Sequence, residues 1–503
     1  MSAFDVRDLL DAAGRTGSQA AALPPAGSLL PAAPPPLLSS VVLSGCIRIL
    51  EFTLIALTGI GIHQAELAGL VPLSPSYLAA AFGTSALAVV LIQTVGAYRM
   101  TALRSLRGSA LRLAGAWSLA FLSVATLMVF AKVADHYSRI WLASFFVGGL
   151  AVLVAERFAL ARLIAVQMRQ GHFDRRTAIV GGGAVAEGLI RALDAQADSG
   201  VRIVGVFDDR GDTRSDTMVA GYPKLGTVSD LVAYARSTRV DLIIFTIPLT
   251  AEDRILQMLA KLWVLPIDIR LSAQTSKLRL RPRAYSYLGG VPVLDVFDKP
   301  MADWDIVAKS VFDRVVGLAM LAALAPVMLG VALAVRFTSP GPILFRQKRY
   351  GFNNELIEVY KFRSMYVNQS DAGAAKLVTR DDPRVTRVGR IIRKTSLDEL
   401  PQLFNVIKGE LSLVGPRPHA LQAKAANTLY DQVVDGYFAR HKVKPGITGW
   451  AQVNGWRGET DTSDKIQKRV EHDLHYIENW SILFDIRIML ATPLSLVRTK
   501  NAY

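Results

Sequence analysis

The sequence predicts three parts: a membrane α-helical bundle, a Rossmann-like α/β domain, and a monotopic α-rich domain with a re-entrant membrane helix. Three observations lead to this fold class. Four apolar segments of membrane-spanning length lie within the first 165 residues. A glycine-rich turn between an apolar strand and a helix follows them. Further along the chain, a fifth apolar segment has a proline at its middle.

The composition indicates a membrane protein that binds anions. Of its 503 residues, 51% are hydrophobic, and the mean hydropathy of +0.30 is high for a soluble protein. The 57 Lys and Arg exceed the 42 Asp and Glu and give a net charge of +15. We therefore expect membrane lipid and phosphorylated molecules as partners, rather than nucleic acid. The single cysteine, Cys46, excludes an intrachain disulfide and a cysteine-cluster metal site.

The N-terminal third is predicted to hold a tail and a four-helix transmembrane bundle. Residues 1–40 are rich in Ala and Pro without a signal-peptide pattern, so we expect a disordered cytosolic tail. The bundle covers residues 41–165, and its apolar segments are 47–71, 77–98, 113–131 and 140–160. Arginines follow the second and fourth segments, which places both ends of the bundle in the cytoplasm. A soluble bundle of buried helices is the alternative.

Residues 175–275 have the pattern of a Rossmann-like α/β domain. An apolar strand runs into Gly181-Gly182-Gly183-Ala184-Val185-Ala186, which matches G-x-G-x-x-A before a helix. With Asp208 after the second strand, Gly181 and Gly183 form a candidate nucleotide loop. The chain has no Tyr-x-x-x-Lys, so a structural or regulatory role is favoured over a nicotinamide site. A nucleotide bound without chemistry and a nucleotide-sugar oxidoreductase or epimerase are the alternatives.

The fifth apolar segment is predicted to enter the membrane and return to the same side. It is uncharged from Val315 to Val335 and has an arginine at each end. Pro326 lies at its middle, where it removes a helical hydrogen bond and favours a kink. We predict a re-entrant helix over residues 313–337, with a kinked span as the alternative, and a linker over residues 276–304.

Two adjacent acids, Asp398 and Glu399, begin a short amphipathic helix. Ser396 stands at the N-cap with Glu399 three residues later, which is the spacing of a capping box. Pro401 is expected to loosen the first turn, and Gly409 to end the helix. Capping is the structural interpretation of the acids, and catalysis at an anion-binding helix N-terminus is the functional one.

Basic residues precede the acids. Lys361 and Arg363 alternate with aromatic residues in a predicted strand. Arginines then recur every three residues, a spacing that would form one cationic stripe on a helix. The arginines of this stripe are Arg384, Arg387, Arg390 and Arg393.

Residues 305–503 resemble the bacterial sugar transferase family, the monotopic polyprenyl-phosphate hexose-1-phosphate transferases. The resemblance is carried by Lys361-Phe362-Arg363-Ser364-Met365, Thr395 to Pro418 with its two acids, Lys444 to Gly455, and Tyr476 to Ser481. The upstream bundle and Rossmann-like domain resemble the large members that start exopolysaccharide or O-antigen synthesis. The family implies a re-entrant helix, although its break is often Ser-Pro and here it is Ala325-Pro326.

The resemblance implies a phosphoglycosyl transferase catalytic domain over residues 305–503, on the cytoplasmic face of the bacterial inner membrane. It implies transfer of hexose-1-phosphate from a UDP-sugar to undecaprenyl phosphate, with UMP as the second product. Asp398 would be the nucleophile of a covalent aspartyl-phosphosugar intermediate, and Glu399 the Mg²⁺ ligand. Because Asn454 to Thr460 resembles the glucose-transferring branch, glucose is favoured over galactose. A homodimer is also expected.

Further residues are candidates for substrate binding. Arg417 lies between two prolines, in a stiff turn suited to a bidentate grip on phosphate, with a structural salt bridge as the alternative. Trp450 and Gln452 are candidates for contact with uracil or sugar, although Trp450 would also suit an interfacial anchor. The other phosphate candidates are Lys361, Arg363, Arg440 and Lys444. A non-catalytic scaffold that recruits partners through the bundle is the remaining hypothesis for the chain.

Overall fold

The structure is a computed structural model. It describes residues 39–67, 73–104, 106–169, 174–196, 200–211, 217–248, 250–273, 286–288, 291–367, 382–419, 424–425, 428–429, 437–456 and 462–498. The predicted tail up to residue 38, residues 276–285 and 289–290 of the predicted linker, and residues 457–460 of the glucose-branch motif lie outside the described residues. The described chain falls into two compact units, one ending at Asp174 and one beginning at Arg175.

The first unit is a bundle of apolar helices, as the sequence predicts. Its helices are α1 (Ser40–Leu67), α2 (Pro75–Thr94), α3 (Met100–Arg104), α4 (Leu106–Phe130) and α5 (Arg139–Arg169). Among the described residues, four helices are long and apolar enough to cross a membrane. Three of these are α1, α2 and most of α4, and the fourth lies in the second unit. Helix α5, which contains the predicted membrane segment 140–160, is not among the four. Trp117, Trp141 and Phe145 are fully buried in the bundle core.

Buried charges join the helices of the bundle. Glu51 of α1 pairs with Arg157 of α5, with Oε1 of the glutamate 2.6 Å from Nη2 of the arginine. Glu51 also accepts a hydrogen bond from the hydroxyl of Tyr98. Arg48 donates to Ser44 at 3.2 Å. The buried ion pair therefore ties two helices together instead of two turns of one helix.

The second unit begins with an eight-stranded mixed sheet. Its strands are β1 (Arg175–Val180), β2 (Val201–Phe207), β3 (Met218–Val219), β4 (Tyr222–Gly226), β5 (Leu242–Phe245), β6 (Asp268–Ser272), β7 (Ser286–Leu288) and β8 (Val291–Phe297). The order is β3-β4-β2-β1-β5-β6-β8-β7, and the strands from β4 to β6 in this order are parallel. The connecting helices are α6 (Ala184–Asp194), α7 (Val228–Ser237) and α8 (Glu252–Leu262). One face of the sheet packs against α6 and the other against α7 and α8, which makes the domain Rossmann-like.

The predicted linker over residues 276–304 is wrong where it includes β7 and β8. β8 pairs with β6 and β7 pairs with β8, both antiparallel, so these strands extend the sheet beyond residue 275. Val291 and Val293 alternate with less buried residues and face the core. This short alternation is easily hidden by the prolines and glycines around it.

The C-terminal domain begins with α9 (Trp304–Thr338), a 35-residue helix. Next come the antiparallel strands β9 (Leu344–Tyr350) and β10 (Leu356–Phe362). The helices and strands that follow are α10 (Arg387–Lys394), α11 (Gln402–Lys408), β11 (Ser412–Val414), β12 (Lys424–Ala425), β13 (Thr428–Leu429), β14 (Gly446–Thr448), α12 (Trp450–Val453), α13 (Ser463–Glu478) and α14 (Ile482–Arg498). β10, α9, α11, α13 and α14 enclose a core around Val359, Leu403 and Tyr476.

Both ends of α9 are tied to this one domain. Near its start, Lys309 Nζ donates to the Val414 carbonyl at 3.1 Å and lies 2.6 Å from Asp485 Oδ2. Near its end, the Val335 carbonyl accepts from Arg363 Nη2 at 3.3 Å. The helix contains Pro326, and between its ends it exposes a series of apolar side chains. The exposed residues include Val315, Leu318, Val327, Leu329, Leu333 and Phe337.

Candidate active site

The two acids lie in a tight turn before α11. Ser396 adopts a left-handed conformation with φ 58°, and its side chain makes no capping hydrogen bond. Leu397–Glu399 is a single 3₁₀ turn, and α11 starts only after Pro401. The predicted capping box is therefore wrong, because the carboxylate of Glu399 turns away from the backbone of Ser396 toward basic side chains. Gly409, with φ 83°, ends the helix as predicted.

Glu399 is held by two cations that come from distant parts of the chain. Lys361 Nζ, at the end of β10, lies 2.9 Å from Oε1. Arg417, in the loop after β11, donates from Nη2 to Oε1 at 2.5 Å and from Nη1 to Oε2 at 3.2 Å. Burial alone would raise the pKa of Glu399, but Arg417 and Lys361 together hold it well below the ordinary value. Glu399 is therefore ionised at any physiological pH.

The neighbouring acid has the opposite electrostatic character. Burial raises the pKa of Asp398 to about 6. The positive charge of Lys361 opposes this rise, and the negative charge of Glu399 adds to it. Arg393, at the end of α10, also lowers this pKa. Two adjacent carboxyls therefore differ strongly in basicity. The more basic of them, Asp398, is the better nucleophile of the pair.

Asn405 holds the two halves of the site together. Its side chain is fully buried in α11, and Oδ1 accepts from the backbone N–H of Tyr360 at 3.0 Å. Its Nδ2 donates to the Glu358 carbonyl at 2.7 Å and to Glu410 at 2.6 Å. The amide thus pairs with the backbone of β10, beside Lys361. The sequence analysis missed this residue, although an asparagine among the apolar positions of a short helix was a visible signal.

Arg349 is a second residue that the sequence analysis missed. It lies in β9, donates to the Pro418 carbonyl, and donates from Nη2 to Gln347 Oε1 at 2.8 Å. Burial and the nearby positive charge of Arg417 together lower the pKa of Arg349 to about 10. Arg349 therefore braces the turn that carries Arg417 and adds positive charge to the site. The basic residues of β9 were visible in the sequence, but the residues that Arg349 contacts could not be identified from it.

Two predicted phosphate ligands have other roles in the structure. Arg363 is 5% exposed and donates to the carbonyl and hydroxyl of Ser339, at 2.6 and 2.9 Å. Arg440 is fully buried, pairs with Asp473 at 2.7 Å and donates to the Arg417 carbonyl at 2.6 Å. In the structure Arg363 thus fixes the end of α9, and Arg440 supports Arg417 from behind; contact of either arginine with phosphate stays a prediction.

The remaining candidates contact other parts of the domain. The charges that act on Lys444 belong to Arg314, Asp313 and Lys309, at the start of α9. The Trp450 ring lies 5.0 Å from that of Phe484, against the C-terminal helices. Gln452 is 7% exposed, with Nε2 3.5 Å from the Ile447 carbonyl. Contact of these three residues with substrate stays a prediction.

The predicted arginine stripe is shorter in the structure. Arg384 precedes α10 and is paired with Asp382, with Nη2 and Oδ2 2.6 Å apart. Of the others, Arg387 and Arg390 are exposed and Arg393 is half-buried near Asp398. The cationic face therefore consists of the three arginines of α10.

The glycines of the candidate nucleotide loop have positive φ angles, but the acid of the loop is paired with a neighbouring arginine. Gly181 and Gly183 have φ of 100° and 84°, which favours glycine at both positions. Asp208 is 2% exposed and pairs with Arg210, with Oδ2 2.6 Å from Nη2. The carboxylate of Asp208 is therefore buried against this arginine, and its contact with a nucleotide stays a prediction.

Within the described ranges, no group of three or more His, Cys, Asp or Glu residues is placed to hold a metal ion. Mg²⁺ needs fewer protein ligands than such a group supplies, because it usually binds through one or two carboxylates together with substrate phosphates and water. The adjacent acids Asp398 and Glu399 are the residues of this site that meet that requirement.

Comparison with known proteins agrees with these observations. The bacterial sugar transferase family matches residues 304–499, and a CoA-binding domain family matches residues 93–273. The chain is 34% identical, over 91% of its length and 94% of the relative, to the UDP-glucose:undecaprenyl-phosphate glucose-1-phosphate transferase of Xanthomonas campestris pv. campestris. It is 37% identical, over 77% of its length and 81% of the relative, to the protein of that name from Escherichia coli (strain K12). The chain therefore belongs to the bacterial sugar transferase family.

Proposed function

We propose that this protein transfers glucose-1-phosphate from UDP-glucose to undecaprenyl phosphate, giving undecaprenyl-diphospho-glucose and UMP. The substrates are those in the names of its relatives. One observation carries the proposal: a basic carboxyl, Asp398, adjoins a carboxylate that Lys361 and Arg417 keep ionised. Such a pair supplies both a nucleophile and a fixed anionic group among cations. The reaction would be the first membrane step of exopolysaccharide synthesis.

In the first step, a carboxylate oxygen of Asp398 attacks the β-phosphorus of UDP-glucose. A bond forms between this oxygen and phosphorus, and the bond from phosphorus to the bridging oxygen breaks. UMP leaves with the electron pair, and glucose-1-phosphate remains on Asp398 as an acyl phosphate. Lys361 and Arg417 lie close enough to neutralise charge on the phosphoryl oxygens as the bond order changes.

In the second step, a phosphate oxygen of undecaprenyl phosphate attacks the same phosphorus. The bond from phosphorus to Asp398 breaks, and the carboxylate is regenerated with its electron pair. This nucleophile is already ionised at neutral pH, so the chain needs no general base here. Burial lowers the pKa of His441 to about 3, which makes this histidine too weak a base for such a role.

We further propose that Mg²⁺ assists the reaction through Glu399. The bound ion would act as a Lewis acid on the phosphate oxygens. Glu399 Oε1 accepts the two short bonds, from Lys361 and Arg417, while Oε2 accepts the longer bond of 3.2 Å. Oε2 is thus the oxygen of Glu399 that can accept a further partner at the smallest cost.

We propose that α9 enters the inner membrane from the cytoplasm and returns there. Lys309 near its start and Val335 near its end both bond to the catalytic domain, which supports the same-side arrangement. Pro326 lies between these two contacts, where it weakens the helical hydrogen bonds. The catalytic domain would then face the cytoplasm, where UDP-glucose is available.

The proposal is tested by release of UMP from UDP-glucose, with the purified full chain, undecaprenyl phosphate and Mg²⁺. We expect turnover with the wild type and none with Asp398→Asn, which should still bind UDP-glucose. UDP-galactose and UDP-N-acetylgalactosamine in the same assay test the preference for glucose. A phosphosugar adduct trapped on a residue other than Asp398 would contradict the assigned roles.

A nucleotide-sugar oxidoreductase or epimerase is the less supported function. The acid expected to bind a ribose, Asp208, is buried against Arg210. Copurified NAD and loss of activity in Gly183→Asp would favour that function, whereas normal transfer by this variant would exclude it.

We also expect a homodimer, which light scattering of the detergent-solubilised protein would test.

A further inference from the structure

One turn of the catalytic domain, Tyr437–Lys442, lies directly behind Arg417. Its Arg440 is fully buried, and Nη2 donates to the backbone carbonyl of Arg417 at 2.6 Å. The same nitrogen lies 2.7 Å from Oδ2 of Asp473, which is also buried. Hydrogen bonds from a charged donor are strong in buried surroundings. Arg440 therefore fixes the backbone from which Arg417 reaches Glu399.

The other side of this turn is held by the α/β domain. The guanidinium carbon of Arg236, in the last turn of α7, lies 4.5 Å from the centre of the Phe438 ring. A second contact has the cation on the turn and the ring on the α/β domain: Nζ of Lys442 lies 5.1 Å from a ring centre of Trp263, the residue after α8. Each domain thus places a cation over an aromatic ring of the other. Such contacts are attractive within about 6 Å of the ring centre.

The connection between β9 and β10 adds a second tie to the same turn. Asn353 Nδ2 donates to the carbonyl of Ala235 in α7 at 3.2 Å. Oδ1 of Asn354 bonds to Nδ1 of His441. Both asparagines have positive φ, 50° and 62°, a conformation that Asn adopts more readily than most residues. Helix α7 is thereby linked to Tyr437–Lys442 by two separate routes.

We propose that the α/β domain acts as a positioning element for Arg417, through its contacts with the Tyr437–Lys442 turn and the bond from Arg440. The inference rests on the proposed function, because it takes Arg417 to be a phosphate ligand. Reacting groups must be held to within a fraction of an ångström. A small displacement of this turn, transmitted through Arg440 to Arg417, therefore changes the transfer rate.

The test uses the full chain in lipid nanodiscs. Arg236→Gln removes one of the cations, and we expect a roughly two- to five-fold decrease in kcat/KM for UDP-glucose. Arg440→Lys keeps a charge for Asp473 but loses the planar group that also reaches the Arg417 carbonyl. We expect a decrease of about ten- to a hundred-fold for this variant. The matched control is Arg239→Gln, on the same domain, where Arg239 pairs with Asp241 at 2.9 Å; it should retain wild-type kinetics.

Two further measurements separate positioning from a general loss of stability. In an Arg417→Lys background, Arg236→Gln should cause no further decrease in kcat/KM, because the positioned group is already altered. Hydrogen–deuterium exchange over residues 412–419 should be faster in Arg236→Gln and Arg440→Lys than in the wild type. Additive losses of kcat/KM, or unchanged exchange in both variants, would overturn the inference. Exchange does not depend on turnover, so a wild-type protein without transferase activity would refute only the proposed function.

Discussion

Lys361 and Glu399 lie 38 residues apart in sequence, yet Nζ of one is 2.9 Å from Oε1 of the other. The lysine also lies close enough to Asp398 to lower its pKa. One cation thus acts on both acids, but with different results. Glu399, which Arg417 also contacts, is fixed as a carboxylate, whereas Asp398 keeps a pKa raised by its burial.

This relationship predicts how transfer depends on pH. Asp398 attacks as a carboxylate, and its pKa is about 6, so kcat/KM for UDP-glucose should fall as the pH drops through about 6. Glu399 stays ionised over this range and contributes no second step. The measurement is a profile of UMP release against pH at low UDP-glucose. A flat profile between pH 5 and 8 would show that Asp398 is not the group that titrates.

Removal of the shared cation should move that profile. Lys361 lowers the pKa of Asp398, so Lys361→Met should shift the acidic limb to higher pH as well as reduce the maximal rate. Lys408→Met is the matched control, because Lys408 is exposed and donates to the hydroxyl of Tyr360 at 2.7 Å. We expect the control to keep the wild-type limb. The same limb in both variants would contradict the electrostatic role of Lys361.

Asn405 should prove necessary for both stability and rate. Asn405→Ala leaves the N–H of Tyr360 and the carbonyl of Glu358 without this partner in a partly buried setting. We expect a loss of about 2–4 kcal/mol in the free energy of unfolding, since each unmade buried hydrogen bond costs about 1–3 kcal/mol. Thermal unfolding in detergent and kcat measure the two effects.

Asn405→Asp gives the internal comparison. It keeps an acceptor for the N–H of Tyr360 but replaces the donor that faces the Glu358 carbonyl and Glu410. An anion beside Glu410 is unfavourable, so this variant should recover stability as the pH is lowered, which Asn405→Ala should not do. Equal stability of both variants with the wild type would mean that Asn405 does not hold β10 to α11.

The helix that leads to the acids depends on one small residue. A Cβ on Gly389 of α10 would lie 2.0 Å from the backbone oxygen of Ser364, which cannot move as a side chain can. Gly389→Ala should therefore destabilise the domain by at least about 1–3 kcal/mol, the usual range for overpacking. Gly330→Ala in α9 is the control, since a Cβ there meets nothing within 4 Å. The control should match or exceed the wild-type melting temperature.

The sequence was sufficient where structure depends on local pattern. The apolar helices, the Rossmann-like strands and the acids before α11 all follow from spacing within about twenty residues. The capping box failed because a tertiary contact competed with a local one: Glu399 meets Lys361 and Arg417 instead of the backbone of Ser396.

The residues that support the site were beyond such reasoning. Arg349 and Pro418 are 69 residues apart, and Arg440 and Arg417 are 23 apart, so no periodicity relates them. Arg440 in particular has the residue type of a phosphate ligand, and only its burial against Asp473 distinguishes its role. Charge in the sequence therefore marks the region of the site, but not which cations face the substrate.

A last prediction concerns the cluster that holds the start of α9. Lys309 Nζ lies 3.1 Å from Asp313 Oδ1 and 2.6 Å from Asp485 Oδ2, and Tyr476 and Trp480 also donate to Asp485. Burial raises the pKa of Asp485, and Lys309 opposes this rise. Lys309→Met should therefore raise the pKa further and cost about 3–5 kcal/mol at neutral pH, the usual result of breaking a buried ion pair.

The sign of the pH dependence follows from linkage. An acid whose pKa is higher in the folded than in the unfolded state binds more protons when folded, so the free energy of unfolding decreases as the pH rises through that interval. Lys309→Met should therefore lose more melting temperature at pH 8 than at pH 5, relative to the wild type. Adding Asp485→Asn removes one of the buried charges and should restore part of the loss at pH 8. An equal loss at both pH values, without rescue by the second substitution, would show that Lys309 contributes packing instead of charge.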